Sequence, residues 1–167
     1  RLREEEAPEK VEVLSECARR VTAQHKHFFG LEEKTRQLAD LLAGNPPRSV
    51  LLIGPSGVGK TALFENLAQN AGVFGLAAVP FWQTSGSEIV SGMSGFGMWQ
   101  ERCLGMIHQA ARDKIILHLG SLKELVQVGQ YEGQDQGIAS FLRPYIVRGD
   151  LLVVCECQPE EIAAIER

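Results

Sequence analysis

Apolar positions along the chain fall into two kinds of run. Some repeat with the period of a helix, while others are short, continuous and partly β-branched, as buried strands are. Val11, Leu14, Ala18 and Val21 lie near helical spacing and predict a short amphipathic helix after Pro8. A second helix is predicted from about Leu31 to Leu42, carrying Leu31, Leu38, Leu41 and Leu42 and stopped by Gly44-Asn45-Pro46-Pro47. Ser49-Val50-Leu51-Leu52-Ile53 reads as a buried strand, and Thr61 to Ala68, with Leu63, Phe64 and Leu67 at helical spacing, reads as the helix after it. Leu76 to Gln83 has strand character, in which Pro80 suits an edge strand better than a central one. Gly86, Gly92, Gly95 and Gly97, with Met93 and Phe96 among them, predict a flexible loop with exposed apolar tips. Met98 to Ala111 and Gly137 to Arg148 follow as helices, and Lys114 to Leu119 and Leu151 to Cys155 as strands. Strands alternating with helices imply an α/β fold with a mainly parallel sheet. No internal repeat or low-complexity linker interrupts it.

Between the strand ending at Ile53 and the helix beginning near Lys60 stands Gly54-Pro55-Ser56-Gly57-Val58-Gly59-Lys60-Thr61, an uninterrupted G-x-x-x-x-G-K-[ST] run. The glycines let successive N–H groups face one anion, where side chains with a Cβ would obstruct the turn. Lys60 supplies a point charge for the β- and γ-phosphates, Thr61 can place its hydroxyl on Mg²⁺, and the helix turns its positive end toward the phosphates. Strand, loop, helix is the order that a phosphate-binding loop requires. The expected cofactors are ATP and Mg²⁺, held by Gly54 through Thr61 and by Ala62.

Composition narrows the picture. The 167 residues fit one domain of ordinary size, read as a mobile acidic tail over 1–10 and a single nucleotide-binding domain over 11–167. A net charge of −4 leaves no electrostatic footprint for duplex nucleic acid. No apolar run approaches the length of a membrane span, and Arg1-Leu2-Arg3-Glu4-Glu5-Glu6 is too acidic and polar for a signal or transit peptide, so the expected compartment is the cytoplasm. Cys17, Cys103, Cys155 and Cys157 are spread over predicted helices and strands, which favours reduced thiols. Cys155 with Cys157, or His25 with His27, could put two ligands on one side of an extended segment. Neither pair has the spacing of a structural zinc site, so buried small residues and a solvated histidine pair are the expected readings.

From about Phe28 to Glu166 the chain resembles the large nucleotide-binding subdomain of a Clp-type AAA+ ATPase. The resemblance rests on the phosphate loop followed by Leu67-Ala68-Gln69, on Gly97-Met98-Trp99-Gln100-Glu101-Arg102, on Leu142-Arg143-Pro144 with Val147-Arg148-Gly149-Asp150-Leu151, and on Pro159-Glu160-Glu161-Ile162. It implies a P-loop αβα sandwich without the family's C-terminal part and small helical subdomain, which the family places after the point matching Arg167 together with its arginine finger. Phe28-Phe29-Gly30 resembles the segment that touches the adenine, so these residues join the expected nucleotide set. A staple of apolar residues closing the helix pair is the alternative for the two phenylalanines. The resemblance also implies a protein client or partner and a homo-oligomeric ring.

The departures concern the chemistry. In the family the strand matching Ile115-Ile116-Leu117-His118-Leu119 ends in Asp-Glu, the Asp helping to hold Mg²⁺ and the Glu polarising the attacking water; here Gly120 and Ser121 follow. Removing a positioned base commonly costs about 10² to 10⁴ in rate. Glu156, after a hydrophobic strand that in this fold lies beside the one leading into the phosphate loop, is the candidate substitute acid. Glu124, four residues past Gly120 on the neighbouring strand's loop, is a second candidate; a solvated glutamate is the alternative for each. The family's γ-phosphate sensor falls at about Cys157 or Gln158, its pore-loop Tyr is matched by Phe96, and Arg148 matches a family Arg.

Three functions are consistent with these residues. One is an ATP-binding module whose nucleotide occupancy controls conformation or assembly with weak or absent hydrolysis. Another is an active unfoldase or remodelling ATPase with Glu156 as its acid, and the third is a scaffold with a structural nucleotide. A small-molecule kinase lacks an evident acceptor-binding cluster.

Overall fold

The computed structural model describes residues 12–22, 26–95, 97–130 and 136–166. The predicted tail, Val11, His25 and Phe96 lie outside them. The first helix is shorter than its apolar spacing predicts: α1 covers Leu14–Cys17, and Ala18 already has extended backbone at φ −144° and ψ 164°. Arg19–Arg20 form strand β1, with Arg19 opposite Gln83 and Arg20 opposite Trp82 in antiparallel register. Long-range partners decide this local contest. The Leu14 N–H donates to Gln109 Oε1 at 2.9 Å and the Thr84 hydroxyl donates to the Cys17 carbonyl at 2.5 Å, which holds the segment against the sheet instead of letting the helix run on.

Helix α2 (Glu32–Leu42), β2 (Val50–Ile53), α3 (Lys60–Gln69), β3 (Phe81–Gln83), α4 (Gly86–Val90), α5 (Met98–Asp113), β4 (Ile116–Ser121), α6 (Leu122–Gln127), α7 (Ile138–Arg148), β5 (Leu152–Cys157) and α8 (Ile162–Ile165) follow. Among the described residues the sheet has five strands in the order β1-β3-β4-β5-β2. The pairs β3–β4, β4–β5 and β5–β2 are parallel. Alternation along each strand sends neighbours into opposite layers. Ile116 and Val154 join Leu38, Leu42, Phe64 and Leu67 beneath α2 and α3, whereas Leu117 and Val153 join Met106, Ile107, Leu125 and Leu142 beneath α5, α6 and α7. The result is an αβα sandwich. Phe64 is fully buried at its centre, edge-on to Phe81 at 5.7 Å.

Three expectations are corrected. Pro80 precedes β3, which is not an edge strand; β1 covers that edge, and the Pro80 carbonyl accepts from the Ile116 N–H at 3.0 Å. The stretch expected as loop from Gly86 begins with α4, capped by Ser85 Oγ accepting from the Glu88 N–H at 3.2 Å. Glu124 lies in the first turn of α6 and not in a loop, its N–H donating to Ser121 Oγ at 3.2 Å. At the opposite edge of the sheet β2 leaves Leu51 and Ile53 exposed; with Leu41 and Val58 they line a groove of about 420 Å³.

Candidate functional site

Parallel strands put the ends of β2, β4 and β5 on one rim of the sheet, where α/β folds place their ligands. Pairing of β2 with β5 runs on through the Gly54 N–H to the Cys157 carbonyl at 3.1 Å, and the loop then leaves the sheet. Gly57 at φ +76° and Gly59 at φ +100° take a conformation that residues with a Cβ rarely adopt. At Gly54 the demand is space, since a Cβ there would come within 2.9 Å of Val58 Cγ1. Helix α3 starts directly from Gly59 with no side-chain cap and no acidic residue in its first turn, so its leading N–H groups face outward for an anion. The Lys60 ammonium donates to the Gly54 and Pro55 carbonyls at 2.6 and 2.8 Å.

Beyond the loop lies a cavity of about 430 Å³. Ser56, Gly57, Gly59, Lys60, Thr61 and Ala62 form one wall; Ser121 from β4 and Glu156, Cys157, Gln158 and Glu161 from β5 and the turn after it form the other. Its volume is within the range of small-molecule sites. The Thr61 hydroxyl lies 2.9 and 3.1 Å from the two oxygens of the Glu156 carboxylate. Burial alone would raise that carboxyl's pKa, but His118, the Thr61 hydroxyl and the Lys60 charge outweigh it and hold it below the usual carboxylate range. Glu156 is therefore ionised at neutral pH. Main-chain donors, an ammonium, and a hydroxyl beside a carboxylate are what a triphosphate with its hydrated Mg²⁺ requires, so these residues fit that group.

The remaining expected residues sort by position. Glu124 is not brought to the cavity: its carboxylate accepts from the Ser87 N–H at 2.9 Å and from the Ser87 hydroxyl at the start of α4. Phe28 lines a separate groove with Glu65 and Gln69 of α3, and Phe29 is 88% exposed with its ring stacked near His27. Gly30 sits at φ +72° before α2. Cys157 and Gln158 do line the cavity, whereas Cys155 faces the other layer with its thiol pushed by burial up to about 12. Among the described residues no three His, Cys, Asp or Glu side chains are grouped as a metal cluster. Sequence reasoning missed His118. Its ring is buried, its Nε2 lies 3.4 Å from Glu156 Oε1, and its signal was a single polar residue inside the apolar run from Ile115 to Leu119.

A parallel-stranded αβα sandwich with a phosphate loop between strand and helix defines the P-loop nucleoside triphosphatase fold. A family model for the "ATPase family associated with various cellular activities (AAA)" matches residues 50–151. Chaperone protein ClpB of Mycoplasma pneumoniae is 26% identical over 159 residues, covering 88% of this chain and 22% of that protein. Heat shock protein hsp98 of Neurospora crassa is 31% identical over 129 residues, covering 74% of this chain and 14% of that protein. Among solved structures, the S. cerevisiae Hsp104–ADP complex matches with a TM-score of 0.73 at 25% identity, over 91% of this chain and 22% of that one. The S. cerevisiae Hsp104–casein complex in its extended conformation gives 0.76 at 25% identity, over 92% and 28%. The chain belongs to the AAA family, as a Clp-type AAA+ ATPase module. It spans between 14% and 28% of the length of these four relatives.

Proposed function

We propose that this chain is an ATP-binding module of a Clp-like chaperone and that nucleotide occupancy, with weak or absent hydrolysis, does its work. The observation that carries this reading is the Thr61–Glu156 contact beside a complete phosphate loop, at a rim where β4 ends in Gly120 and Ser121. Lys60 would exchange its two loop carbonyls for phosphate oxygens, and Thr61 with Glu156 would hold the hydrated Mg²⁺. Bound Mg·ATP supplies the γ-phosphate whose presence or loss is the signal. The residues after Glu156 can pass such a signal on, because the Gln158 N–H donates to Glu161 Oε2 at 2.9 Å and so ties the cavity wall to the turn that opens α8. Hydrolysis is slow in this reading because Gly120 carries no acid, Ser121 is spent on the α6 N-terminus, and both Glu156 oxygens face the Thr61 hydroxyl.

ClpB is a chaperone protein and hsp98 a heat shock protein, and the Hsp104 structures include ADP and casein complexes. By that likeness the module works in the cytoplasm on a protein client, within a homo-oligomeric ring, with residues 11–167 acting as one unit. Titration of Mg·ATP tests the reading: the protein binds it, Lys60→Ala abolishes the binding, and binding by neither form would sink the proposal.

A second reading, an active remodelling ATPase with Glu156 as its acid, is favoured by the ionised carboxylate at the cavity. It predicts steady phosphate release that Glu156→Gln abolishes.

A further inference from the structure

We propose that His118 is the positioning residue for Glu156, its Nε2–H holding the carboxylate against Thr61; this rests on the reading that Glu156 has taken over the metal-side role of the absent β4 acid. Strand register places the two residues together. His118 pairs with Val154 across β4–β5, so Glu156, two positions further along β5, is its diagonal neighbour on the α3 face. Nε2 lies 3.4 Å from Glu156 Oε1, the ion-pair contact recorded for it, and is a buried ring nitrogen that makes no well-aligned hydrogen bond among the described residues. Burying a ring nitrogen without an acceptor is unfavourable, which favours the arrangement in which Nε2 carries a proton and faces the carboxylate.

The rest of β4 offers Glu156 nothing comparable. Leu119 packs into the opposite layer, Gly120 has no side chain, and Ser121 Oγ accepts from the Glu124 N–H. Phe64 fixes the imidazole from the other side, with ring centroids 4.9 Å apart and planes inclined at 38°. Because Phe64 and Thr61 lie on one helix, the same α3 that presents the hydroxyl also sets the ring that steers the carboxylate.

The test is a double-mutant cycle read as the ratio of ATP affinity with Mg²⁺ to ATP affinity in EDTA. Glu156→Gln and His118→Phe should each lower that ratio roughly tenfold, as expected for loss of a charge-assisted hydrogen bond, and the double variant should lower it no further than either alone. His118→Gln, whose side-chain amide nitrogen reaches the place of Nε2, should restore most of the ratio. A wild-type ratio in His118→Phe with a lowered one in Glu156→Gln overturns the role of His118 and leaves Glu156 in place. Independent, additive losses in the double variant also overturn it. A wild-type ratio in Glu156→Gln overturns the underlying reading. If His118→Phe does not fold, His118→Gln and His118→Asn are compared: Gln retains the ratio and the shorter Asn loses it, and equal ratios refute the proposal.

Discussion

Gly120→Asp puts a carboxylate back where the Clp strand carries one, and the geometry argues that it will not repair the site. Gly120 lies at φ +71°, just past the irregularity at which β4 slips by one residue against β5. A Cβ there would meet the Thr84 carbonyl at 3.5 Å and Ser85 Cβ at 3.7 Å, which is ordinary contact, so the cost is backbone strain and not collision. For Asp, which tolerates the left-handed region better than most residues, that strain is about 1 kcal/mol. In a domain of this size it lowers Tm by about 2–4 °C. The new side chain would leave toward the end of β3, since none of the atoms nearest that Cβ belongs to Thr61 or Glu156. Thermal unfolding of Gly120→Asp should show the fall in Tm, and in a Glu156→Gln background the variant should not recover the gain that Mg²⁺ gives to ATP affinity. An unchanged Tm together with a restored gain would refute the argument, because β4 would then still present a working acid position.

Phe64→Ala should cost about 3–5 kcal/mol in a denaturant titration, the usual range for emptying a buried aromatic site. It should also weaken the Mg²⁺-dependent part of ATP binding, because Phe64 holds the His118 ring; a loss below about 1 kcal/mol would contradict the packing described. Burial pushes the Cys17, Cys103 and Cys155 thiols from the ordinary 9.0 up to about 11, 12 and 12. Such thiols stay protonated in the folded chain while the unfolded chain ionises, so the stability is lost as pH rises above about 9, by about 1.4 kcal/mol per thiol per pH unit. Cys103→Ala should make the fall in unfolding free energy between about pH 9.5 and 10.5 shallower by that amount, and equal slopes would contradict the assignment.

The phosphate loop and the strand and helix that hold it were legible because the motif itself dictates backbone conformation: Gly57 and Gly59 are glycine for their positive φ, and Lys60 and Thr61 follow where α3 must begin. The long helices and the parallel character of the sheet were legible from periodicity and alternation. Helices α4 and α6 were not, since five and six residues are too few for a helical period to show. Strand β1 was hidden because the apolar spacing around it reads as helix and its true partners, Trp82 and Gln83, lie more than sixty residues away. Glu156 could be placed at the rim because the family resemblance implies a strand order in which its strand lies beside the one leading into the phosphate loop. Its pairing with His118 could not, because that depends on the register of β4 against β5 and on the slip before Gly120.

Binding and turnover measured in one sample decide most directly whether the site holds ATP without cleaving it. Mg·ATP is titrated into the protein while phosphate release is followed, beside Lys60→Ala as the reference for an emptied loop. Saturable binding that the variant lacks is expected, with release slower than about one turnover per minute, the scale of unassisted nucleotide hydrolysis. Release of about one per second or faster, or binding that Lys60→Ala leaves intact, would contradict it.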